Sequence, residues 1–207
     1  MGVPRGTAAV DRRSSRHRRI HIDGRDVTGW PAWRFARAGV GRSFRRTNVL
    51  RDMTVFENVR LAGQIGTTPP TRLLRAAWRE QAPLRLAEAA IARAGLEALT
   101  IHPAAILSHG QLRQLELAMV LAASPRTLLL DEPFAGMGPE ETHRISVLLR
   151  GLAVDHAVLL IEHDMDVVFA VADTVTVMVD GLVLETGPPA AMRASAKVRD
   201  AYLGLAA

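Results

Sequence analysis

Residues 127–131 read Thr-Leu-Leu-Leu-Asp, an apolar run that stops on two adjacent acids, Asp131 and Glu132. A short continuous run of this kind predicts a buried strand, and "AVLLIEH" at 157–163 predicts a second. Between them the pattern predicts a helix over 139–152, and after them a helix over 165–172. Strands alternating with helices point to a parallel α/β core. Two hairpins are also predicted. In "IHIDGRD", Ile20 and Ile22 alternate before a turn at Asp23-Gly24, and "TVTVMVDGLVLETG" turns at Asp180-Gly181. Thr54 with Glu57 three residues later is a capping box that starts a helix over "TVFENVRLA". Residues 71–98 are helix formers with Leu84, Ala87, Ile91 and Ala94 at helical spacing, expected to break at Pro83. They read as a small helical insert.

Composition narrows the class. The 207 residues are 48% hydrophobic, enough to bury a core, and there is no cysteine for a disulfide or thiolate metal site. No apolar run approaches the roughly 18 residues that a membrane span needs. Nor does the start of the chain contain an apolar export segment. The net charge of +5 is uneven: residues 1–46 hold twelve Arg against three Asp, a net of +9, while the remainder is −4. Arg12, Arg13, Arg16, Arg18 and Arg19 have no aromatic interleaved for stacking on bases, so residues 1–19 are expected to be a basic, solvated, disordered arm with no specific nucleic-acid target.

The candidate chemistry gathers at the strand ends. Ligands of α/β proteins bind at the carboxyl ends of parallel strands. An extended chain would turn Asp131 and Glu132 to different sides, Asp131 toward a metal ion and Glu132 toward an attacking water. A solvated pair of acids at a strand end is the plainer alternative. Ser108 and Gln111 form another capping box, and "SHGQ" offers free amides, a hydroxyl and a glycine where a phosphate can sit. His163 ends the second strand and should reach the same rim as Glu132.

Four stretches in order, "LSHGQ" at 107–111, "TLLLDEP" at 127–133, "AGMG" at 135–138 and "IEHDM" at 161–165, resemble the signature motif, Walker B, D-loop and switch histidine of ATP-binding cassette (ABC) ATPases. "DGRDVTGWPAWRFARAGVGRSF", "DMTVFENVRLAG", "DEPFAGMGPEET" and "VRDAYLG" are similar to the ATPase subunits of branched-chain amino-acid and urea importers. The resemblance covers roughly residues 20–204. It implies an incomplete P-loop NTPase (ABC ATPase) α/β core over 20–65 and 108–207, with a helical subdomain over 66–107. The implied cofactors are ATP and Mg2+. Implied catalytic residues are Glu132 and His163, the metal ligand Asp131, and nucleotide contacts Ser108, His109, Gly110, Gln111, Arg45 and Gly138.

Two departures stand out. The chain has one lysine, Lys197, preceded by alanine, so no "GxxxxGK[ST]" phosphate loop exists in it; "GVPRGT" at 2–7 is a lysine-free echo. In the family the P-loop strand and helix would precede "IHIDGRD", along with the aromatic residue that stacks on adenine. At the Q-loop, Arg45 stands where the family pattern puts Gln, and a guanidinium donates hydrogen bonds but cannot ligate a cation.

The resemblance further implies a head-to-tail dimer with an identical or homologous subunit, each ATP lying between one P-loop and the other subunit's signature helix. Residues 66–107 would touch a membrane permease. The chain would then lie in the cytoplasm, peripheral at the inner face of the plasma membrane. The leading expectation is an importer ATPase subunit, truncated or degenerate at its front. The alternatives are a non-transport ABC ATPase acting on nucleic acid and a non-functional fragment.

Overall fold

The computed structural model describes residues 8–11, 19–43, 48–67 and 81–203. Arg45, most of the arginine arm and residues 68–80 of the helical insert lie outside them. At the front, β1 (Ala8–Asp11), β2 (Arg19–Ile22) and β3 (Arg25–Asp26) form an antiparallel sheet in that order. The expected disordered arm therefore includes a strand, because Ala8–Asp11 pairs with β2 in the register Ala8↔Ile22. Asp23 and Gly24 close the β2–β3 turn with φ of 49° and 76°. That is the left-handed pair which a two-residue hairpin loop needs.

Helix α1 (Ala32–Arg37) leads into β4 (Val40–Arg42), neither of them anticipated from the sequence. The chain then forms α2 (Val55–Thr67), α3 (Gln81–Ala94), α4 (His109–Ala122) and β5 (Thr127–Asp131). The remaining elements are α5 (Pro139–Leu152), β6 (Ala157–Ile161), α6 (Met165–Val171), β7 (Val175–Val179), β8 (Leu182–Gly187), α7 (Pro189–Ala194) and α8 (Ala196–Leu203). Strands β4, β5 and β6 make a parallel sheet in that order, as the strand–helix alternation predicts.

Pro83 does not break its helix. It is the third residue of α3, where a backbone N–H has no intrahelical acceptor, so the ring costs no hydrogen bond. Thr54 and Glu57 cap α2 as expected. Glu57 Oε2 accepts from the Thr54 N–H at 2.8 Å, and Thr54 Oγ1 accepts from the Glu57 N–H at 3.2 Å.

One hydrophobic core runs through both the α/β part and the helical insert. It joins Val55, Val59, Ala87 and Ile91 to Leu115, Leu128, Leu130, Ile145 and Leu152, all buried. Each fully buried Leu, Ile or Val contributes roughly 1.5–3 kcal/mol, so α2 and α3 are fastened to α4 by packing. Gly41 lets β4 come this close: a Cβ there would lie 2.5 Å from Val120 Cγ1 on α4. A smaller cluster of Val175, Met192 and Val198, with Val168 and Phe169, seats α6, α7 and α8 on the β7–β8 hairpin. Among the described residues no helix is long and apolar enough to cross a membrane.

Candidate functional site

Helix α4 is built from its cap. Ser108 is extended, with φ −64° and ψ 167°, and its Oγ accepts from the Gln111 N–H at 3.2 Å. Gln111 Oε1 in turn accepts from the Ser108 N–H at 2.9 Å. The exchange completes the box that the sequence predicts. Behind the cap, Leu112, Leu115, Leu117, Ala118, Leu121 and Ala122 are buried, as are Arg113 and Glu116. Arg113 Nη1 lies 2.7 Å from Glu116 Oε2, and Glu116 Oε1 accepts from the Asn48 N–H at 3.0 Å. The body of the helix is thus fixed, while Ser108 and His109 at its start are exposed. An exposed helix start of this kind presents unpaired amides and positive dipole to an anion.

The second group forms at the rim of the parallel sheet. Asp131 ends β5 opposite Ile161, and its N–H donates to Ser43 Oγ at 3.3 Å. Glu132 corrects the picture of two acids alternating along an extended chain: its φ is +47°. The pairing with β6 ends here, with the Glu132 N–H donating to Ile161 O at 2.9 Å, and the backbone turns so that Pro133 and Phe134 fold back into the core. The direction of the Glu132 side chain is therefore set by a turn, not by strand pleat. A left-handed non-glycine residue is a local strain that tends to sit at functional sites.

His163 follows β6 by two residues, and its ring is 76% exposed. Its neighbour Glu162 is the opposite, with a side chain only 1% exposed. Glu162 Oε1 accepts from the Phe134 N–H at 3.0 Å and Oε2 from the His163 N–H at 3.2 Å, with His163 Nδ1 3.6 Å from Oε2. That carboxylate ties the loop after β5 to the loop after β6. Asp131, Glu132 and His163 consequently share one rim, as the sequence predicts. Ser108, His109, Gly110 and Gln111 form a separate cluster with Gly136, which faces the His109 ring, and with Gly138 and Glu141, reached through the loop 133–138.

The fit to a nucleotide differs between the two groups. Among the described residues no cluster of three His, Cys, Asp or Glu groups is placed to hold a metal ion. Asp131 alone suits Mg2+ only where phosphate oxygens and water complete the octahedron, and this sequence has no P-loop to hold those phosphates. The Ser108–Gln111 start needs no such loop. Arg45, the remaining sequence-based contact, lies outside the described residues.

Sequence reasoning missed Glu141, Glu162, Glu116 and Asn58. Glu141 had a legible signal: Gly138, Pro139 and then Glu141 at the third helical position mark a helix start. The Gly138 N–H donates to Glu141 Oε2 at 3.3 Å. Besides their neighbours His163 and Arg113, Glu162 and Glu116 reach partners 28 and 68 residues away, beyond any local pattern.

Comparison with known proteins accords with these motifs. The ABC transporter family model matches residues 11–135. The chain is 35% identical over 192 residues to the high-affinity branched-chain amino acid transport ATP-binding protein BraF of Pseudomonas aeruginosa, covering 89% of this chain and 75% of the relative. It is 37% identical over 192 residues to LivG, the corresponding protein of Salmonella typhimurium, with the same coverage. Its fold resembles the ADP conformation of MJ1267, an ATP-binding cassette of an ABC transporter, with a TM-score of 0.77 at 28% identity over 91% of this chain and 78% of that one. The α/β core of β4, β5 and β6 with its helical insert is an ABC ATPase core, and the chain belongs to the ABC transporter family.

Proposed function

We propose that this chain is the ATP-binding subunit of an importer of the branched-chain amino-acid type, contributing its signature face to a nucleotide held mainly by a partner subunit. The observation that carries this is the pairing of a capped, exposed α4 start with a sequence that has no P-loop lysine. The partner is an identical or homologous ABC ATPase subunit docked head to tail, with Ser108, His109, Gly110 and Gln111 facing its ATP and Gly138 in the adjoining turn. On this chain's own rim, Asp131 would hold Mg2+, Glu132 would polarise water and His163 would contact the γ-phosphate if phosphates were supplied there. Arg45 would disfavour metal at that rim, since it offers a cation where an oxygen is needed.

The helical insert supplies the membrane-facing side of this reading. Its lead-in 51–53 runs beside 104–105, with Met53 O and Arg51 O accepting from the Ala104 and Ala105 N–H groups at 2.9 Å. In and around these segments Leu50, Met53, Ile101 and Ile106 are exposed, with Ile101 at 81%. Apolar side chains on a braced loop suit a permease contact, which would hold the subunit at the inner face of the membrane.

Mixing the chain with an intact, P-loop-bearing relative tests the proposal. Stimulated ATP turnover should be abolished by Ser108→Arg in this chain and left nearly unchanged by Glu132→Gln. The reverse order of sensitivity would place the working site on this chain's own rim and overturn the reading.

A further inference from the structure

Glu141 belongs to the first turn of α5, yet its carboxylate reaches the start of α4. Oε2 accepts from the Gly138 N–H at 3.3 Å, and Oε1 lies 3.5 Å from Ser108 Oγ. A Cβ added to Gly110 would lie 2.4 Å from the same Oε1, so the carboxylate fills the space that this glycine leaves open. Beside it, the His109 ring covers Gly136, whose Cβ position is 3.4 Å from His109 Cε1. The starts of α4 and α5 are clasped through one negative charge.

We infer that Glu141 is an internal gate on the α4 face: it holds the Ser108 hydroxyl proton and sets a like charge where a partner's phosphate approaches, and it swings aside before that face engages. The inference rests on the reading of Ser108–Gln111 as the face that meets a partner's nucleotide. Proton counting supports it. A serine hydroxyl has one proton to donate. Ser108 Oγ already accepts from the Gln111 N–H, so its own O–H points to Glu141 or to a phosphate, never both. At 3.5 Å the hydroxyl's contact with Glu141 is long and weak, so release costs little. The Gly138 contact of Oε2 is a pivot about which the carboxylate can turn while still capping α5. Until it turns, a like charge at about 4 Å weakens phosphate binding roughly fivefold even in bulk water.

The test is a titration of the isotope-labelled full chain with inorganic triphosphate, followed at the amide signals of Gly110 and Gln111. Glu141→Gln keeps the side-chain size and an oxygen for the Gly138 N–H. It is expected to lower the half-saturating concentration about fivefold, with the gain shrinking as salt is added. Equal half-saturation for the parent and Glu141→Gln, or no response to triphosphate in either, overturns the gate. In the mixed-turnover assay, Glu141→Gln should lower the ATP concentration for half-maximal stimulation and leave the maximal rate alone. If Ser108→Arg abolishes stimulation while Glu141→Gln leaves half-saturation unmoved, the gate is wrong and the signature reading stands. If Ser108→Arg has no effect, the signature reading fails and the gate, which rests on it, falls with it.

Discussion

Asn58 shows how much one polar side chain fixes. It has no exposed surface, and its Oδ1 accepts from the Leu50 N–H at 2.9 Å. Its Nδ2 donates to Leu50 O at 2.9 Å and Thr54 O at 3.0 Å. Leu50 O and Thr54 O keep the Met53 and Asn58 N–H groups as donors, but truncation leaves the Leu50 N–H without its acceptor and opens a cavity at a fully buried position, so Asn58→Ala is expected to cost about 2 kcal/mol, read as a shift in the urea midpoint with unchanged slope. A loss under ~0.5 kcal/mol would mean that water satisfies the loop instead. No local hydrogen-bonding pattern singles out Asn58, because its partners are backbone groups of residues 50–54. Ser108 and Gln111 were legible for the opposite reason: both halves of their exchange lie within one helical turn. Asp131 and His163 were legible as strand ends, but the left-handed turn at Glu132 was not.

At the scale of elements, cap chemistry carried the most information. The bounds of α5 were readable from Pro139 onward, and α2 and α4 from their capping boxes. Helix α1 and strand β4 were not, since each is short and neither has a marked apolar period. The α2 cap makes a pH prediction. Glu57 is held below the usual glutamate range, first by the Thr54 N–H and then by the Thr54 hydroxyl, both donating to its carboxylate. A lowered folded-state value means that the ionised cap stabilises above the unfolded value, and that this is lost as pH falls through the folded one. A carbon-detected titration should find Glu57 ionising below free glutamate, and Thr54→Ala should raise it part of the way back, because the backbone donor remains. A Glu57 that titrates in the ordinary range in both chains would contradict the assignment.

For the molecule as a whole, the outer edge of β6 is one of the two edges of the parallel sheet among the described residues. Among the described residues β6 pairs only with β5, and Leu159 and Ile161, on one face, are 53% and 59% exposed. An unpaired parallel edge flanked by apolar side chains invites association. Leu159→Thr with Ile161→Thr should reduce self-association in sedimentation while leaving the far-ultraviolet spectrum unchanged; equal or greater association would place the sticky surface elsewhere. The absence of a P-loop was plain from a single lysine, whereas the internal carboxylates Glu141 and Glu162 needed three dimensions. The same division between a complete α4 face and a rim without a phosphate cradle sets the most direct measurement. Purified chain alone, supplied with Mg2+ and ATP, should turn over nothing above background, since a base at Glu132 is idle where no group holds the γ-phosphate in line. Turnover that is steady and is lost in Glu132→Gln would show that this chain holds its own nucleotide, and would contradict the division of labour.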